Sequence, residues 1–182
     1  METIVIYSTR FGSTEKYAFE IAKRLQCSAV KSQHVSREDL ANYDLIIFGS
    51  CLLEGMLTDA HYFQDWVHTY PDKIWALFTV GLSNPALTNF SLILRQNFDE
   101  VVLSKTTFFH YRGTIQYKRL VLMQDLIQQM KVARAHSLDQ TPLSDENQAL
   151  LEKYGTYCDA ADLASIDELI QWVNKIERKV SQ

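Results

Sequence analysis

Ile4-Val5-Ile6-Tyr7-Ser8-Thr9-Arg10-Phe11-Gly12-Ser13-Thr14 passes directly from an apolar run into a helical one. The first four residues are β-branched or aromatic and bounded by turn formers, which predicts a buried strand. After Thr14, Tyr17, Ala18, Ile21, Ala22 and Leu25 recur at helical spacing and predict an amphipathic helix. Between strand and helix lies a turn rich in hydroxyls with a single Gly. Such a turn presents unpaired backbone N–H groups at the positive end of the helix dipole, which suits a phosphate. The same residues also suit an ordinary capped helix with Ser13 as N-cap. Pattern alone leaves both readings open.

The wider composition restricts the classes. A chain of 182 residues fits one domain, and 47% hydrophobic content with 6 Gly and 3 Pro describes a packed core. A net charge of −4 argues against nucleic acid as the main partner, since phosphate backbones call for a basic face. No apolar run approaches the roughly 18–20 residues that span a bilayer, and no secretory leader pattern is present. Cys27, Cys51 and Cys158 are far apart and odd in number, with neither zinc nor disulfide spacing. A cytoplasmic setting is expected. The five histidines show no metal-ligand spacing, so no metal is expected.

Outward from the first turn, Ser28 to Val35 reads as a weaker edge strand, and Ser36-Arg37-Glu38-Asp39 as a capping-box-like start to a helical turn. Leu45-Ile46-Ile47-Phe48 reads as a central strand that stops at Gly49-Ser50. Thr58 to Tyr70 reads as a helix with Phe63, Trp66, Val67 and Tyr70 on one stripe, closed by Pro71. Ile74 to Val80 reads as a strand ended by Gly81-Leu82-Ser83-Asn84-Pro85, and a helix is expected within Ala86 to Phe98. Val101-Val102-Leu103 and Thr106-Thr107-Phe108-Phe109 read as one long strand or two short ones. Leu120 to Met130 forms a wide helical stripe, 133–162 a polar excursion with a short helix near Asn147 to Tyr154, and Ser165-Ile166-Asp167-Glu168 a capping box before a terminal helix.

Strands alternating with helices predict an α/β fold, a doubly wound parallel sheet of order 2-1-3-4-5 with helices on both faces, in one domain over 1–182. Ligands of such sheets bind outside the carboxyl ends of the strands. Three loops leave strand ends there: Ser8 to Thr14, Ser50 to Leu57 and Gly81 to Asn84. All carry hydroxyls, an amide or Gly.

These residues carry a resemblance. The chain resembles the flavodoxin-type flavoproteins, and in particular the flavodoxin-domain subgroup that includes the menaquinone-dependent protoporphyrinogen oxidases. The first loop is similar to that subgroup's S-T-R-x-G-x-T. Tyr43-Asp44 before the third strand, Gly49-Ser50 after it, and Arg112-Gly113-Thr114-Ile115-Gln116-Tyr117-Lys118-Arg119-Leu120 also resemble the family. The resemblance implies non-covalent FMN as cofactor. Carried over by position, Ser8, Thr9, Arg10, Gly12, Ser13 and Thr14 would hold its phosphate. Ser50, Cys51, Leu52, Leu53, Glu54 and Gly55 would flank one side of the ring, and Gly81, Leu82, Ser83 and Asn84 the other. Flavin would supply the redox chemistry and the protein would bind and tune it.

The chain departs from that pattern in places. Neither ring loop has an aromatic residue, so Leu and Met, or Phe90 or Tyr111 from elsewhere, would cover the ring. Glu54 beside a flavin would lower its potential by like-charge repulsion; its other reading is a solvent-facing carboxylate. His110 ends the last strand near the expected site, as a proton donor or as a structural histidine. Porphyrinogens carry two propionates, yet Leu82 to Leu94 has no Lys or Arg; Arg112, Lys118 and Arg119 are available on the other side. Leu120 to Met130 would be a lid, a quinone or peripheral membrane contact, or a core helix.

The expectation is an FMN-dependent redox protein acting with a partner protein or a small-molecule or quinone acceptor. Two alternatives stand beside it: a protoporphyrinogen oxidase feeding a quinone, and a flavin-free binding or sensor module. No catalytic residue and no oligomeric state is assigned.

Overall fold

The computed structural model describes residues 1–83, 88–115, 158–159 and 162–180. The helical stripe of 120–130, the short helix near 147–154, most of the 133–162 excursion, Lys118, Arg119 and Asn84 lie outside them.

Strand β1 (Thr3–Tyr7) leads into helix α1 (Ser13–Leu25), followed by the short strand β2 (Ser28–Lys31). Next come β3 (Leu45–Leu53), β4 (Met56–Leu57), α2 (Ala60–Thr69), β5 (Ile74–Gly81), α3 (Phe90–Asn97), α4 (Glu100–Lys105) and β6 (Thr106–Arg112). Two short strands, β7 (Thr114–Ile115) and β8 (Cys158–Asp159), pair antiparallel, and α5 (Asp167–Val180) closes the described chain.

The main sheet runs β2-β1-β3-β5-β6 and is parallel throughout, with β4 folded back on β3. With that short arm set aside, this is the expected order 2-1-3-4-5. The two-residue alternation of strand side chains divides the core into two layers. Val5, Tyr7, Ile47, Phe78 and Tyr111 pack with Tyr17, Ala18 and Ile21 of α1 and Leu169 and Val173 of α5. Ile4, Ile6, Phe48 and Leu77 pack on the other face with Phe63, Trp66 and Val67 of α2 and Val102 of α4. Within this second layer Phe63 stacks on Phe48 at 5.2 Å and meets Trp75 edge-on at 5.6 Å. The edge strand is shorter than expected: after Lys31 the chain turns into a 3-10 segment, Ser32–His34. The capping box at Ser36 is present in both directions. Ser36 N–H donates to Asp39 Oδ2 at 2.8 Å, and Asp39 N–H donates to Ser36 Oγ at 3.3 Å.

Four local expectations are corrected. The third strand does not stop at Gly49-Ser50 but runs on to Leu53, and the expected loop becomes a hairpin with β4. Gly49 is there for space, because a Cβ at that position would lie 2.2 Å from Cζ of the Phe78 ring. A Gly that admits a neighbouring ring and a Gly that ends a strand look alike in sequence. Val101-Val102-Leu103 is helical, not extended: Asp99 caps α4 by accepting from Val102 N–H at 3.0 Å, and Val102 is fully buried. The cap and the burial outweigh the β-propensity of two valines.

The N-cap of α1 is Gly12, not Ser13. Ser165 does not form a capping box with Glu168. Its hydroxyl donates to the Asp162 carbonyl at 2.5 Å, and Asp162 caps a 3-10 turn, Leu163–Ile166, that leads into α5.

Candidate functional site

The carboxyl ends of β1, β3, β5 and β6 meet at one edge of the sheet, and specific contacts hold them together. Ser8 N–H donates to Gly49 O at 2.8 Å, joining the first loop to β3. Gly113 N–H donates to Gly81 O at 2.7 Å, joining the ends of β5 and β6. A Cβ on Gly113 would stand 3.2 Å from Val80 Cγ1 and 3.6 Å from Ser13 Cβ, so the turn after β6 lies directly against the start of α1. Tyr17 bolts the same corner: its hydroxyl donates to Arg112 O at 2.8 Å and accepts from Asp162 N–H at 2.9 Å.

The start of α1 has a left-handed glycine and no side-chain cap. Gly12 has φ of 89°, a left-handed conformation that suits glycine, and a Cβ there would have nothing within 4 Å. No side chain caps the helix. Thr9 Oγ1 instead accepts from Gly12 N–H at 3.0 Å, which shapes the turn from within. Ser13 and Thr14 are buried and Arg10 is exposed. The one carboxylate of the first turn, Glu15, is held by Tyr7: the Tyr7 hydroxyl donates to Glu15 Oε1 at 2.8 Å, with Lys31 Nζ at 3.7 Å. Burial, reinforced by Glu15, pushes the Tyr7 phenol up to about 12. The phenol therefore stays a donor at neutral pH.

The second loop divides in two. Ser50, Cys51 and Leu52 are buried within β3. Ser50 Oγ donates to Thr58 O at 2.8 Å, and Cys51 N–H donates to Thr58 Oγ1 at 3.1 Å. These side chains support the hairpin. Its tip is Leu53-Glu54-Gly55, where Glu54 is exposed and both turn residues have positive φ, 51° and 79°. Positive φ at both central positions is the requirement of a type I′ hairpin turn. Asn97 of α3 clamps this hairpin from both sides: Nδ2 donates to Gly55 O at 2.8 Å, and Oδ1 accepts from Leu57 N–H at 2.9 Å. Met56 beside it is 59% exposed. In the third loop Gly81, Leu82 and Ser83 are all buried at the end of β5.

Tyr111 is turned inward, stacked on Tyr17 at 4.9 Å, and Phe90 lies against the His110 ring at 3.8 Å. His110 Nδ1 also contacts Thr79 Oγ1. Burial drives the His110 pKa down to about 4; the nearby Ser83 backbone opposes this and the charge of Arg112 adds to it. At neutral pH the imidazole is uncharged.

Sequence reasoning passed over Asn97, Thr58 and Tyr17. Only Tyr17 left a signal, as a phenol within a buried helical stripe whose hydroxyl needs a partner. Asn97 and Thr58 act through the backbone of the hairpin, which no spacing rule shows.

The chain is similar to a known family and to several solved structures. The family model described as flavodoxin domain matches residues 4–139. A flavodoxin from the domain Archaea is 23% identical, covering 60% of this chain and 85% of its own, with a TM-score of 0.42. Oxidised flavodoxin 2 from Bacillus cereus is 19% identical, covering 62% and 85%, at 0.47. Two-electron reduced flavodoxin from Megasphaera elsdenii is 19% identical, covering 61% and 83%, at 0.46. A search of the curated proteins gave no match. With the family model matching most of its length, the chain belongs to the flavodoxin domain family.

Proposed function

We propose that the protein is an FMN-dependent redox protein that passes electrons to a partner protein or a small-molecule acceptor. The observation that carries this is the amino terminus of α1, which no side chain caps. Gly12 leaves it without a side-chain cap, and Tyr7 and Lys31 engage Glu15, the acidic residue of its first turn. A helix start without a side-chain cap fits the phosphate of FMN, with the N–H groups of the first turn as donors. The family match supports the same cofactor.

In this reading Ser8, Thr9, Arg10, Gly12, Ser13 and Thr14 form the phosphate site. The hairpin tip Leu53-Glu54-Gly55 and the segment Gly81-Leu82-Ser83 flank the ring, Ser50, Cys51 and Leu52 supporting the hairpin from below. Bound flavin supplies one- and two-electron chemistry; the chain supplies binding, orientation and exclusion of water. The uncapped helix start also favours this reading over a flavin-free module. The protoporphyrinogen oxidase alternative draws on Arg112 and on 118–130, the latter outside the described residues.

Titration of the apoprotein with FMN, followed by quenching of flavin fluorescence, tests the proposal. Saturable binding at micromolar FMN or below is expected; none at that concentration overturns it.

A further inference from the structure

We infer that Tyr7 is a positioning residue for the phosphate site, holding the Glu15 carboxylate aside from the first turn of α1 and so setting the affinity of that turn for a phosphate group. The role rests on the FMN reading of the turn. Glu15 is the third residue of α1 and the acid of its first turn. A Glu in that place is the one that reaches back to the N-cap N–H in a capping box, while the N-cap side chain bonds forward in return. Neither half is made here. Gly12 has no side chain, and its N–H donates to Thr9 Oγ1 at 3.0 Å. The Glu15 carboxylate is turned to the sheet instead, where the Tyr7 hydroxyl donates to Oε1 at 2.8 Å and Lys31 Nζ stands 3.7 Å from the same oxygen.

The hold comes from two strand ends and one face of the helix. Tyr7 and Lys31 are register partners at the carboxyl ends of β1 and β2. Glu15 and Phe19 are four apart on α1 and share a face, and the Phe19 ring lies 5.8 Å from the Tyr7 ring. Tyr7 is 4% exposed and fixed by its packing, whereas the Glu15 side chain is 35% exposed. Burial and the Glu15 charge keep the phenol protonated, so the donor is present at neutral pH. A carboxylate released from it acts against phosphate in two ways. It competes for the amides of the first turn, as in a capping box, and its charge repels the anion.

The full chain and three variants, Tyr7→Phe, Glu15→Gln and the two combined, test this by their dissociation constants for FMN and riboflavin, read from quenching of flavin fluorescence. Tyr7→Phe keeps the ring and removes the donor. It is expected to weaken FMN by about fivefold, the effect of one charge at a helix start, and riboflavin by less than about twofold. A loss of structure alone would weaken both. On the Glu15→Gln background the same change should move FMN by less than about twofold, because no carboxylate remains to be released. Glu15→Gln alone should bind FMN at least as tightly as the unaltered protein. Equal weakening of both flavins by Tyr7→Phe, no weakening of FMN, or the full loss on the Glu15→Gln background overturns the inference. So does weaker FMN binding by Glu15→Gln, which decides the matter should Tyr7→Phe not fold. If the unaltered protein binds no FMN, the proposed function fails, and inorganic phosphate followed by NMR at the Gly12 and Ser13 amides decides instead. Saturable shifts that Tyr7→Phe weakens only where Glu15 is present uphold the role of Tyr7, and their absence overturns it.

Discussion

Gly49 and His110 show how much one residue decides here. The Phe78 ring occupies the place of a Gly49 side chain, and Phe78 is itself fully buried. Gly49→Ala is therefore expected to destabilise the fold by about 1–3 kcal/mol through overpacking. Combining it with Phe78→Leu should cost less than the sum of the two changes. Urea denaturation of the single and double variants checks this, and additive losses would contradict it. His110 sets a pH dependence. Its folded pKa, about 4, lies below its ordinary value of 6.5, so the unfolded chain binds a proton that the native state refuses between those values. The contribution to stability is complete above pH 6.5 and lost as pH falls towards 4, by at most about 1.4 kcal/mol per pH unit. His110→Gln should flatten that part of the stability profile; an unchanged slope would exclude His110 as its source.

Among the elements, α4 is the clearest case of local chemistry overriding propensity. Asp99 accepts from Val102 N–H and is paired with His68 Nε2 at 2.7 Å. The Val102 backbone bond is the main cause holding its carboxyl below the ordinary range. Asp99→Ala should cost about 1 kcal/mol by thermal denaturation, the usual worth of an N-cap, and a neutral result would mean that packing alone holds α4. The same element shows what was legible. Helices with a clean apolar stripe, α1 and α5, and strands with continuous apolar runs, β1 and β5, could be read directly, because burial imposes its period on the sequence. The run at Val101 could not be, since the cap that decides it is one Asp two residues upstream. The β3–β4 hairpin was hidden for a similar reason: its turn is Glu54-Gly55, and its clamp, Asn97, is remote in sequence.

At the scale of the whole molecule, a parallel sheet gathers four strand ends at one edge, and backbone contacts fasten them. The turn between β1 and α1 was legible as a turn, because strand, hydroxyl-rich turn and helix follow one another without a break. The segment after Gly49 was only partly so: burial of Ser50, Cys51 and Leu52 depends on how far β3 continues, which the residues at Gly49 conceal. The polar row of Ser50, Thr79 and His110 depends on register across β3, β5 and β6 and on nothing local. Among the described residues no helix is long and apolar enough to cross a membrane. The central claim is that the uncapped start of α1 is a phosphate site of a bound flavin. Its most direct test compares FMN with riboflavin, which lacks the phosphate, on the unaltered protein and on Thr9→Val. FMN should bind at least about tenfold more tightly than riboflavin, and Thr9→Val should narrow that ratio by several-fold, roughly 1 kcal/mol for a lost turn hydrogen bond. Equal affinities for the two flavins in the unaltered protein would contradict the account.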